Sequence, residues 1–236
     1  MALDAKAMES AFTRLGEIAL NEQRIVDMAV YGGSALAIAY DLRAATKDVD
    51  AVFEKDKEFV RKAVATVAKE MDLPADWLND AVKGYVSPKE PGNMIKFGSY
   101  PSEANPGLRI FVPSPEYFFA MKCVDIRTGA SSNDVEDVRK LTLVCGIKSA
   151  QEGIDIVESY YPDRNMQAKT RYVLEEIFDT LDVNEKINVG RAGFTESLAE
   201  FRQNRLAASN PIKSEPKSTD EGNQNVNSKN QSGPTP

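Results

Sequence analysis

The chain has 236 residues, 42% of them hydrophobic and 28% charged, with a formal net charge of −7 and no histidine. The missing histidine excludes His-based triads, histidine metal sites and the usual neutral-pH general base, leaving acid–base chemistry to carboxylates, lysine, tyrosine or metal-bound water. The acidic balance argues against broad, sequence-independent binding of nucleic acid, although a local basic cleft stays open.

In chain order, "MALDAKAMESAFTRLGEIAL" lacks the basic start and apolar block of a signal peptide. No apolar run approaches the roughly 20 residues of a membrane span, so no membrane association and a cytoplasmic location are expected. Residues 8–22 read as an amphipathic helix, 24–32 as a strand ending at glycines, and 34–42 as a short apolar helix. "DVDAVF" (48–53) reads as a strand by alternation and β-branching. Residues 57–71 have helical spacing, and "LPADWLNDAVKGY" suggests a short helix and loop. "NMIKFG" and "GLRIFV" are two further strands. Ser114 as N-cap and Pro115 at the first helical position open another helix. A helix over "SNDVEDVRKLTLVCG" stops at Gly146, and helices fill 149–160 and 163–181. Cys123 and Cys145 have no metal-ligand spacing and read as buried free thiols. The tail has almost nothing to bury and is expected to be disordered. The expected fold class is α+β. Residues 1–112 form a core with a small mixed sheet flanked by helices, 113–205 a helical C-terminal half packed on it, and 206–236 a disordered tail.

The chemistry concentrates in "YGGSALAIAYDLRAATKDVDAVF". On a strand, Asp48, Asp50 and Val52 share one face, while Val49, Ala51 and Phe53 share the other, apolar one. The two carboxylates then lie roughly 6–7 Å apart at their Cα atoms, close enough to converge on one Mg²⁺ (or Mn²⁺) or to bracket a pair of ions. A strand, Gly32-Gly33 and a helix opened by Ser34 let backbone N–H groups approach a phosphate. Read plainly, the glycines also suit a simple turn, Ser34 an N-cap, and the aspartates a solvent-exposed strand end. Arg43 and Lys47 suit phosphate contact or simple charge balance.

"GGS", a short helix and "DVD" on the next strand resemble the signature of the nucleotidyltransferase superfamily, the DNA polymerase β-like fold. "RAATKDVD" is similar to the Arg-x-x-Thr-x-Asp-x-Asp form of a narrower group, the AbiEii-type toxin nucleotidyltransferases and their small relatives. "PSPEYFFAMKCVDIRTGASSNDVEDVRKL" resembles that group's later motif, a helix with a lysine followed by a helix beginning Asp-x-x-Asp. The resemblance implies metal on Asp48 and Asp50, makes Lys122 the phosphate-contacting lysine and makes Asp134 or Asp137 the later acidic residue; Lys122 and Asp137 are assigned to the catalytic set with the two aspartates. It implies NTP contacts by Gly32, Gly33, Ser34, Arg43, Lys47 and Asp134. Transfer of NMP to an RNA, such as a tRNA, or to a protein is the implied activity, with a toxin role and a cognate antitoxin. The chain departs from the wider superfamily in one place: "GLRIFVPSP" offers Arg109 and no acid before Glu116.

Overall fold

The computed structural model describes residues 2–124, 126–127, 132–182 and 194–209, without the side chains of 81 and 205–209. A two-residue strand, β1 (Leu3–Asp4), leads into α1 (Ala5–Asn21). Asp4 caps this helix by accepting from the Ala7 N–H at 2.8 Å. Met8, Ala11, Phe12, Leu15 and Ala19 recur three and four apart and are buried, so one stripe of α1 faces the core. Then follow β2 (Val26–Val30), α2 (Gly32–Ile38), β3 (Ala45–Thr46), β4 (Val49–Val52), α3 (Lys57–Glu70) and β5 (Leu78–Asn79). A 3₁₀ turn (Ala81–Tyr85) and the hairpin of β6 (Met94–Pro101) and β7 (Pro106–Pro113) come next. Every described element after Pro113 is a helix: α4 (Pro115–Val124), α5 (Asp134–Cys145), α6 (Ala150–Tyr160), α7 (Ala168–Thr180) and α8 (Phe194–Ser209).

The protein is thus mixed α+β. Its main sheet has five strands in the order β5-β4-β2-β7-β6, and β1 pairs with β3 separately. β2 is antiparallel to β4 and parallel to β7; β5 is parallel to β4. α1 packs on β6 and β7, and α4 packs on α5 and α6. The apolar side of β4 lies in the core, with Val49 and Ala51 fully buried. No helix among the described residues is long and apolar enough to cross a membrane. Cys123 and Cys145 are both free thiols, the first buried and the second partly so.

This topology gathers three chain segments at one end of the sheet. Because β2 and β4 are antiparallel, the end of β2 lies beside the start of β4, and the Tyr31 N–H donates to the Asp50 carbonyl at 2.9 Å. Because β7 is parallel to β2, α4 leaves from the same end.

Several expectations are corrected. α2 starts at Gly32, with Tyr31 at the N-cap position and no side-chain cap, so Ser34 is not its N-cap. Ser34 is buried in the first turn and donates to the Tyr31 carbonyl at 2.6 Å. Ser114 precedes α4 as expected, but its buried hydroxyl has no hydrogen-bond partner among the described residues; its carbonyl accepts from the Phe118 N–H. The segment expected to be helix and loop also contributes β5 to the sheet edge. α8 continues to Ser209, past the boundary expected at 205. The rest of the expected tail, 210–236, lies outside the described residues.

Candidate functional site

A cleft of about 880 Å³ opens at the gathered end of the sheet. Gly32 and Gly33, Arg43, Lys47, Asp48 and Asp50 line it from the first half of the chain. Lys122 and Asp134 line it from α4 and α5. Eight of the expected site residues therefore share one surface, although the last two are separated from the rest by more than seventy positions in the sequence. Ser34 and Asp137 do not line the cleft. Ser34 is turned toward its own helix, and Asp137 is buried behind Arg43 and Lys122.

Asp48 and Asp50 are half-buried at the start of β4, on the face opposite Val49 and Ala51. Burial pushes the Asp50 carboxyl above its ordinary value, and the charge of Asp48 pushes the same way. Lys122, Asn79 and Arg127 pull in the opposite direction without cancelling the rise. Asp50 is thus under-compensated as an anion.

The glycines have a local reason to be glycines. Gly32 has φ +60°, a conformation that side chains rarely adopt, and a Cβ there would overlap Asp50 Oδ2. A Cβ on Gly33 would stand 2.5 Å from Arg43 Nη1 and 2.7 Å from Thr46 Oγ1. The two positions therefore make room for the acid and the arginine of the cleft as well as exposing first-turn N–H groups, which have no partner within the helix.

The cations of the far wall are anchored by acids. Lys122 Nζ lies 2.9 Å from Asp134 Oδ1 and 2.8 Å from Asp137 Oδ2. Arg43 Nη2 donates to Asp137 Oδ2 at 2.7 Å, and Arg127 Nε donates to Asp134 Oδ2 at 2.8 Å. Asp134 and Asp137 are 5% and 4% exposed at their side chains. Burial opposes the charge on Asp134, but Arg127 and Lys122 outweigh it and hold the carboxyl well below the usual range. A lysine ammonium has three donors, so two carboxylates leave it one to direct into the cleft.

Asn79, Thr46, Arg127, Ser132 and Asn133 were not expected. All but Asn79 line the cleft directly. Asn79 sits on β5 opposite Asp50, donates from Nδ2 to Asp48 Oδ2 at 3.1 Å, and also hydrogen-bonds Asp50. It orients both carboxylates at once. Removing an orienting hydrogen bond of this kind typically weakens a metal site by 10- to 100-fold. If Asp48 and Asp50 hold a divalent cation, Asn79→Ala is expected to weaken Mn²⁺ binding by about tenfold, read by calorimetry, while the melting temperature changes little. An unchanged affinity would mean that Asn79 only closes the sheet edge.

On the same face of β7, Arg109, Phe111 and Pro113 occupy the alternate positions, and Phe111 pairs with Ala29, which in turn pairs with Val52. No carboxylate stands there. Arg109 instead donates to Asp27 through Nε and Nη2, at 2.5 and 2.8 Å. Among the described residues no group of three or more His, Cys, Asp or Glu side chains is placed to hold a metal. The two aspartates still suit Mg²⁺, which is commonly held by one or two carboxylates and completes its shell with water and substrate phosphates.

No family model, no curated protein and no solved structure matches this chain.

Proposed function

We propose that this protein is a Mg²⁺-dependent nucleotidyltransferase with a nucleotidyltransferase-like α+β core and a helical C-terminal half. The observation that carries this reading is the cleft itself. Two neighbouring carboxylates, Asp48 and the under-compensated Asp50, share it with a cluster of cations, Arg43, Lys47, Lys122 and Arg127. A divalent cation relieves the first group and a polyphosphate satisfies the second, and an NTP with Mg²⁺ brings both.

In this reading Asp48 and Asp50, oriented by Asn79, hold the ion. Lys122, aimed by Asp134 and Asp137, and Arg43, held by Asp137, bind the phosphates. Lys47 and the first-turn N–H groups at Gly32 and Gly33 add further contacts. The acceptor hydroxyl gives up its proton to solvent water and attacks the α-phosphorus, the bond to the bridging oxygen breaks, and pyrophosphate leaves. Bound Mg²⁺ supplies charge neutralisation on the phosphates and a lowered pKa for the acceptor hydroxyl. The acceptor is an RNA end or a protein side chain. The acidic chain favours a short contact over a long RNA footprint. A toxin–antitoxin or phage-defence role, with an antitoxin as partner, fits the same chemistry.

The test is transfer of label. Purified protein is incubated with each α-³²P NTP and Mg²⁺, with and without total RNA, beside an Asp48→Ala/Asp50→Ala variant. Label entering RNA or protein, and lost in the variant, is the expected result. Equal labelling by the variant would sink the assignment of the two aspartates. A second reading is a nucleotide binder without turnover, favoured by the absence of a carboxylate on β7. It predicts Mg²⁺-dependent NTP binding with no label in any lane.

A further inference from the structure

The polar cleft continues into a second hollow of about 340 Å³. The hollow shares Gly32, Asp50, Lys122, Arg127 and Asp134 with the cleft. What it adds is wholly different in character: Val82, Tyr85, Phe118 and Met121. Phe118, Met121 and Lys122 stand at i, i+3 and i+4 on α4, so one helix face presents an apolar floor with an ammonium at its edge. Tyr85 stands at the end of the 3₁₀ turn. It is 40% exposed, unusual for a large ring in this protein, and its carbonyl is held by the Tyr161 hydroxyl at 2.7 Å.

A ligand that fills both compartments must join a flat or apolar body to an anionic chain. A nucleotide has that form. Resting on the nucleotide-binding reading of the cleft, we infer that the hollow is the seat of the nucleobase, with Tyr85 as its stacking partner and Phe118 and Met121 beneath it. The volume lies within the range of small-molecule pockets. The hydroxyl of Tyr85 is the only one among the four added side chains. What these four side chains offer a base is therefore ring area and stacking, which tolerate more than one base.

Calorimetry on the full chain separates the parts. Mg²⁺ with ATP and Mg²⁺ with tripolyphosphate are titrated into the unsubstituted protein, Tyr85→Ala and Tyr85→Phe. ATP is expected to bind tighter than tripolyphosphate. Tyr85→Ala should weaken ATP by about 5- to 150-fold and leave tripolyphosphate unchanged, while Tyr85→Phe keeps ATP affinity within about twofold. If ATP and tripolyphosphate bind equally well, or Tyr85→Ala leaves ATP unaffected, the base seat is wrong and the phosphate cleft stands. Equal weakening of both ligands by Tyr85→Ala also overturns the base seat, since it places Tyr85 at the phosphate end. If neither ligand binds any variant, the nucleotide reading fails and the base seat fails with it.

Discussion

Replacing Asp50 with asparagine is expected to make the protein more stable and its chemistry at least about 10³-fold slower. The second half follows from the proposed function, in which Asp50 is one of two carboxylates that hold an ion whose charge stabilisation would be worth several kcal/mol in the transition state. The first half follows from the direction of the Asp50 shift. Burial and the neighbouring Asp48 raise its folded pKa above the unfolded value. A carboxyl raised in this way favours folding when it is protonated, below its unfolded pKa. That contribution is lost as pH rises through the folded pKa. At pH 7 the ionised Asp50 therefore works against the fold, and a neutral isostere removes that cost. A gain of about 1 kcal/mol corresponds to roughly 2–4 °C in Tm for a chain of this size. The gain should shrink as pH falls into the acid range, where Asp50 is protonated in the parent as well. Melting curves of Asp50→Asn and the parent from pH 7 down to pH 4 measure this directly. A less stable Asp50→Asn at pH 7 would mean that the aspartate is a structural partner, and the case for an ion site would go with it.

Legibility divides by the range of the interaction. The alternation in "DVDAVF" carried the strand and its two faces, because β4 is long enough for period two to show, and Val49 and Ala51 are indeed the buried side. The spacing of α1 and α3 and the Gly146 stop of α5 were likewise local signals, and the chain keeps them, whereas the helix expected from 163 starts only at Ala168. Strands of two residues, such as β1, β3 and β5, cannot display a period, and none was expected. The loss of β5 mattered most, since it brings Asn79 onto the aspartate pair. Gly32-Gly33 marks the end of β2, as expected. Its closeness to Asp50 and Arg43 depends on the antiparallel pairing of β2 with β4 and on the approach of the Arg43–Thr46 segment, and nothing local announces either. The same holds for the acids of α5. Their position near a helix N-terminus was plain, and the dipole alone accounts for acids there. That they bind Arg43 and Lys122, across 94 and 15 positions for Asp137, is a property of the fold.

Those partners make Asp137 a position where substitution should damage the fold. It is 4% exposed and faces two cations, Lys122 at 2.8 Å and Arg43 at 2.7 Å, which are themselves 12% and 22% exposed. Removing one partner of a buried ion pair typically costs about 3–5 kcal/mol; here Lys122 keeps Asp134, and the charge that loses its acid is that of Arg43. Asp137→Ala is thus expected to lower Tm by roughly 10 °C, opposite in sign to Asp50→Asn. The two predictions together separate the acids: as an anion Asp50 works against the fold, and Asp137 sustains it. A double-mutant cycle gives the sharper measurement. Arg43→Ala should cost less in the Asp137→Ala background than in the parent, with a coupling on the order of 1–3 kcal/mol. Asp137→Ala should also weaken Mg²⁺–tripolyphosphate binding, because Lys122 and Arg43 lose the group that aims them. Full stability and full phosphate affinity in Asp137→Ala would show that the two cations hold their places without it, and that the acid has no part in the cleft at all.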